Sequence, residues 1–181
     1  MKSDVIVIRN DDEGRERALS ETERTAVWCA LSPKKTLQAR LIAEEMMGMI
    51  HSISGEIDAL FWIESSGTEM EFVLTTDILM NAAARNELVE TSTSRENEAA
   101  KTFLGHLRDF FERAMLSGAG SYVFAENVND IPLSSMPAPV SFDPELDHYE
   151  RSILKNVADQ IRIFIRGNRV EMHVFKEFGK S

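Results

Sequence analysis

The feature that most constrains this chain lies near its C-terminal end, where two alternating runs are separated by Gly167-Asn168. Glycine and asparagine accept the left-handed backbone of a tight hairpin turn, so residues 160–166 and 169–175 are expected to pair as antiparallel strands. In the first run Ile161, Ile163 and Ile165 share one face, with Arg162, Phe164 and Arg166 on the other. A strand with one apolar and one mixed face packs on one side only. The hairpin therefore asks for a sheet covered by helices on a single face.

A second hairpin reads the same way. Ile57, Ala59, Phe61 and Ile63 alternate with Asp58, Leu60 and Trp62; after Ser65-Ser66-Gly67-Thr68, Met70, Phe72 and Leu74 alternate with Glu71, Val73 and Thr75. An apolar run, Val5-Ile6-Val7-Ile8, supplies a short first strand, and the turn chemistry of Asn10 to Gly14 ends it. Helical periodicity marks residues 15–31, with a buried face through Ala18, Leu19, Thr22, Ala26, Val27 and Ala30. Ser32-Pro33, as N-cap and first helical residue, opens a helix that runs to about residue 53 and stops at Ser54-Gly55. Further helices are expected over 81–90, 97–116 and 145–158, with an irregular insertion at 117–147. The order is β-α-α-β-β-α-α-loop-α-β-β, which implies one α+β domain: a two-layer sandwich with a mostly antiparallel sheet and helices on one face.

The 181 residues carry a net charge of −10, and the basic residues are scattered apart from Arg162, Arg166 and Arg169. A nucleic-acid surface needs a basic patch to neutralise phosphates, so that class is excluded. No run approaches the roughly 18 apolar residues of a membrane span, and no apolar signal core follows Met1. A cytoplasmic, non-membrane protein is expected. Cys29 is the only cysteine and sits in an apolar stretch, where an inert, buried thiol is expected. His51, His106, His148 and His173 lack metal spacing, and Asp143 and Asp147 read as turn and cap residues.

The helix over 33–53 is where chemistry concentrates. At about 100° per residue, Ile42, Met46, Met49, Ile50 and Ile53 form a wide apolar face for the sheet. Glu44 falls nearly opposite and Glu45 on the flank, with a narrow stripe of Leu37, Leu41 and Gly48 between them. A glycine within a helix costs about 1 kcal/mol relative to alanine. Two accounts stand: a strip that faces a ligand between two carboxylates, or solvated glutamates and a glycine that relieves crowding.

The layout of Glu44 on a helix, a hairpin ending at Thr76-Asp77, and the segment 152–159 followed by a second hairpin resembles the GHKL (Bergerat-fold) ATP-binding domain. It is most similar to the small bacterial anti-sigma-factor serine kinases. The resemblance covers most of the chain from about residue 15. It implies an ATP cleft in which Glu44 is the general base and Glu45, Gly48 and Asp77 touch the nucleotide. In the family an asparagine four residues after the glutamate holds magnesium. Here that position is Gly48, or Met49 if Glu45 is counted instead, so the magnesium ligand is missing. The glycines that follow the family's adenine-binding aspartate are replaced by Ile78-Leu79-Met80, and residues 144–149 lack the glycines of its phosphate lid.

A substitute phosphate site is conceivable at Thr91-Ser92-Thr93-Ser94, with Lys101 one turn inside the helix that follows; ordinary N-capping is the competing account. Two functional readings follow. One is a GHKL-like regulatory domain that retains a nucleotide cleft. The other is a pseudo-enzyme that uses the scaffold to bind a protein partner or itself, through the Arg162, Phe164 and Arg166 face or the proline-bearing loop.

Overall fold

A computed structural model describes residues 1–55, 58–100 and 153–179 of the chain. The elements are β1 (Ile6–Ile8), α1 (Asp12–Trp28), α2 (Pro33–Ser54), β2 (Ala59–Ser66), β3 (Glu69–Asp77), α3 (Ala82–Thr91), a 3-10 turn (Glu98–Ala100), β4 (Gln160–Arg166) and β5 (Arg169–Glu177). The strands form one antiparallel sheet in the order β1-β2-β3-β5-β4. The fold is the expected two-layer α/β sandwich. Residues 153–157 are helical. The insertion and the rest of the helices expected over 97–116 and 145–158 lie outside the described residues.

Local signals set the helix ends. The Asp11 side chain accepts the Gly14 N–H at 2.9 Å, so α1 starts three residues earlier than its periodicity alone predicts. It also ends earlier. Trp28 closes the helix and Ala30 takes a left-handed backbone (φ 54°); Val27, still within the helix, is 67% exposed instead of buried. Pro33 opens α2 as expected, but the Ser32 side chain makes no cap bond. Gly55 (φ 70°) ends α2 by donating to the His51 carbonyl at 2.8 Å.

One face of the sheet is sealed by the helix layer. Phe61, Ile63, Phe72, Leu74, Ile163 and Met172 point into it and are fully buried. From α2 all five predicted core residues are buried, joined by Ala39, Ala43 and Met47. The buried arc is wider than one face because α2 also packs against α1. At about 25 cal/mol per Å2 of apolar surface, this burial supplies the main drive for folding.

The close approach of α1 to β1 depends on Gly14. A Cβ there would lie 2.9 Å from the Val7 carbonyl oxygen and 3.1 Å from Ile8 Cα. Both are backbone atoms and cannot swing aside. Gly14→Ala should therefore cost about 1–3 kcal/mol in stability, measured by urea unfolding, despite alanine's better helix propensity.

A clip joins the start of β4 to the end of β5. The Asp159 carboxylate accepts from Lys176 Nζ at 2.7 Å and from the Glu177 N–H at 2.8 Å. Burial alone would raise this carboxyl, but those two donors outweigh it and hold it below the usual aspartate value of 3.8. A lowered folded pKa gives stability that is complete above the unfolded value and is lost as pH falls through the folded one. Asp159→Asn should lower the melting temperature at pH 7 and leave it unchanged at pH 2, a contrast that calorimetry at both pH values measures.

Candidate functional site

The residues singled out in sequence fall into three separate places. Glu44 stands on the outer side of α2, about half exposed, with Oε1 3.4 Å from Arg15 Nη2 on α1. Nearby, Arg40 Nη1 meets Glu23 at 2.6 Å and its Nη2 meets Glu16 at 3.6 Å. The hydrogen bond to Glu23 is the main reason the Arg40 guanidinium is held above its ordinary pKa; burial opposes it, and the charges of Glu23, Glu16 and Glu44 add to it. Glu44 thus belongs to a charged seam between α1 and α2. Solvated pairs of this kind contribute little stability.

Glu45 turns inward. Its Oε2 is buried, and the carboxylate is engaged by neighbouring groups. The α3 residue Arg85, 1% exposed and the largest fully buried side chain, is likewise engaged. Gly48 is half-buried on α2. A hollow of about 300 Å3 opens beside this helix, lined by Arg9, Asp12, Arg15, Met47, His51 and Gly55 among others. Arg15, the partner of Glu44, lines it; Glu44 and Glu45 do not.

Asp77 lies elsewhere. It ends β3, exposed, directly across from Arg169 of β5. It borders a hollow of about 240 Å3 with Asp58, Leu60, Thr75 and Arg169. Thr75 and Leu60 belong to the face of the sheet that none of the described helices covers. Among the described residues, the hollow bordered by Asp77 is lined by neither Glu44 nor Glu45.

The segment 91–97 is committed to structure. Ser92 Oγ donates to the Val89 carbonyl at 2.7 Å and accepts the Glu96 N–H at 3.1 Å. Thr93 Oγ1 accepts the Ile161 N–H at 2.8 Å, and the Thr93 N–H returns a bond to the Ile161 carbonyl. Ser94 Oγ donates to Glu98 at 3.0 Å. Four residues further along β4, the buried Asn97 amide donates to the Ile165 carbonyl at 2.9 Å and accepts the Ile165 N–H at 2.8 Å. Side chains here imitate a neighbouring strand and close the β4 edge. Lys101 lies outside the described residues.

The uncovered face carries groups that sequence parity placed but could not bring together. Glu71, Val73 and Thr75 of β3 stand beside Trp62 of β2 and His173 of β5. His173 Nδ1 lies 2.9 Å from Glu71 and its Nε2 2.6 Å from Glu171, with Phe164 edge-on at 5.2 Å. Lys2 caps the Trp62 ring at 4.5 Å and pairs with Glu64 at 3.1 Å. That Lys2 hydrogen bond, followed by one from the Trp62 indole, holds the Glu64 carboxyl below its usual range. The alternation of β3 and β5 was the available signal; their direct adjacency was not.

Among the described residues, no group of three histidine, cysteine, aspartate or glutamate side chains is placed to hold a metal ion, and no helix is long and apolar enough to cross a membrane. The groups on α2 fit magnesium poorly: Glu44 is drawn to Arg15 and Glu45 is used internally. No family model matches the chain, and no curated protein matches it.

The role of Asn97 is testable. Asn97→Ala leaves a buried N–H and a buried carbonyl of Ile165 unpaired, each worth about 1–3 kcal/mol. We expect a loss of about 2–4 kcal/mol in denaturant unfolding, with faster amide exchange at Ile165.

Proposed function

We propose that this chain is a regulatory interaction module on a GHKL-like scaffold, with the uncovered face of the sheet as its working surface. One observation carries this reading. Val5, Val7 and Leu60, at 50%, 44% and 39% exposure, form a continuous apolar patch on that face, with Val7 directly across from Leu60 and Trp62 beside it. A contiguous apolar patch bordered by charged groups marks a binding surface. Arginine and aromatic side chains, enriched at protein interfaces, continue it on β4 as Arg162, Phe164 and Arg166.

A second reading keeps a nucleotide cleft beside α2. Arg9 and Arg15 line the hollow there and could meet an anionic ligand, although Asp11 and Asp12 line it too. Glu44 would then be the base acting on a water or hydroxyl, once released from Arg15. The spent hydroxyls of residues 92–94 and the distant Asp77 weigh against it.

Two measurements separate the readings. A photoreactive benzophenone side chain at position 60 should form protein adducts in living cells, and the same group at Ser20 on α1 should not. The melting temperature should be unmoved by millimolar ATP or ADP, with and without magnesium. Ligand at a hundred times its dissociation constant would add about 2.7 kcal/mol. A nucleotide-induced shift that disappears in Glu44→Ala establishes the cleft instead.

A further inference from the structure

We propose that the groove between α1 and the chain leading into β1 takes an aliphatic diamine, one ammonium group on Glu21 and the other at Glu13 and Glu16. The starting observation is a buried acid. Glu21 is 6% exposed, and its Oε2 lies 2.5 Å from Arg24 Nη2. Its Oε1 is buried with no hydrogen-bond partner among the described residues. One turn further along α1, the hydroxyl oxygen of the buried Thr25 is likewise without a partner. Positions four apart on a helix are neighbours. Buried acceptors left unmet cost stability, and one donor group placed between them would satisfy both.

Glu21 lines a hollow of about 550 Å3. At about 100° per residue, Glu13, Glu16, Arg17 and Arg24 share one side of α1, with Glu21 at its margin next to the buried face. The hollow is lined by four carboxylates, those of these glutamates and of Asp4, against the two guanidiniums of Arg17 and Arg24. That balance favours a cation. Arg24 covers the Glu21 end, reaching Asp4 at 3.6 Å as well, yet its side chain is 67% exposed. An arm so exposed can swing out and yield its place to another cation.

An ammonium group suits this end better than a metal ion or a guanidinium. A metal ion needs several converging ligands, and among the described residues no group of three such side chains is placed to hold one. A guanidinium is a planar fork, and Arg24 pairs with Oε2 while Oε1 stays unmet. An ammonium is compact and carries three donors, enough for Glu21 Oε1 and the Thr25 oxygen together. The second ammonium and the spacer follow from the helix. Glu16 and Glu13 stand about 7.5 and 12 Å before Glu21 along the axis, at 1.5 Å per residue. Both are exposed, and Glu16 is held only loosely, 3.6 Å from Arg40. Ile6 gives the hollow an apolar wall for the methylenes between the two charges.

The test is a titration of the intact chain with amines, read from backbone amide chemical shifts at about 0.15 M salt. Diaminohexane should bind saturably with Kd below about 1 mM, moving the signals of Glu21 and Thr25. Butylamine and N-acetyl-lysine amide carry one ammonium each and should bind roughly tenfold more weakly. Glu21→Gln should weaken diaminohexane roughly tenfold or more. The double variant Glu13→Gln, Glu16→Gln changes only exposed positions, so its fold is safe. It should bring diaminohexane down to the level of butylamine and leave butylamine unchanged. Arg24→Ala removes the competing guanidinium and should tighten diaminohexane. Glu90→Gln removes the same charge at an exposed position of α3 and should change nothing. Absence of saturable binding means that the two buried oxygens are merely hydrated, and overturns the proposal. A one-ended amine that binds as tightly as diaminohexane overturns it too, because the second subsite is then missing. So does a loss in Glu90→Gln equal to that in Glu21→Gln, which is general attraction to an acidic chain.

Discussion

The structure depends on the pairing of β3 between β2 and β5. Among the described strands it is the one with both faces buried, Phe72 and Leu74 against the helices and Val73 and Thr75 on the far side. Its register with β2 and β5 decides which residues meet across the sheet. Because successive side chains alternate, a slip of one residue would expose Phe72 and Leu74 and drive Glu71 into the core. The apolar demand of the helix layer therefore locks the arrangement of the opposite face as well. The glutamate–histidine cluster and the apolar patch inherit their positions from that lock.

The helix layer is held mainly by packing. Met46, Met47 and Met49 are buried with Ile42 and Ile50, and the unbranched methionines adapt to the irregular gap between a twisted sheet and α1. The ion pairs between α1 and α2 sit outside this apolar layer, where water screens them. Glu44 belongs to that outer set, whereas Glu45, one residue later, is half-buried with one carboxylate oxygen shielded from water. Adjacent carboxylates on one helix thus have different environments because a single step rotates the side chain by about 100°.

The edges matter as much as the faces. Sheets that leave an edge open invite uncontrolled pairing. Here an asparagine and a threonine act as surrogate strand at one side, and a glycine lets a helix press against the other. With both routes restricted, the remaining surface is broad, partly apolar and patterned with opposite charges.

The sequence by itself determined the described strands, the helices α2 and α3, the hairpin turns and which strand side chains share each face. Gly167-Asn168 and the strict alternation of isoleucines left little freedom, since hairpin pairing and burial on one side are local consequences of chain geometry. It also marked α2 correctly as the helix lying on the sheet, because its apolar arc is continuous. The end of α1 was less legible: Val27 and Ala30 fit the periodicity, but Val27 is exposed within the helix and Ala30 lies past its end, in a left-handed backbone. Which chemically suggestive residues meet was decided only by tertiary structure. Among the described residues Glu44 does not line the hollow that Asp77 borders, while Glu71 and His173, about a hundred positions apart in sequence, touch. Distance along the chain carries no information about adjacency across strands; that comes from the order of the sheet, which only the burial of the whole core selects.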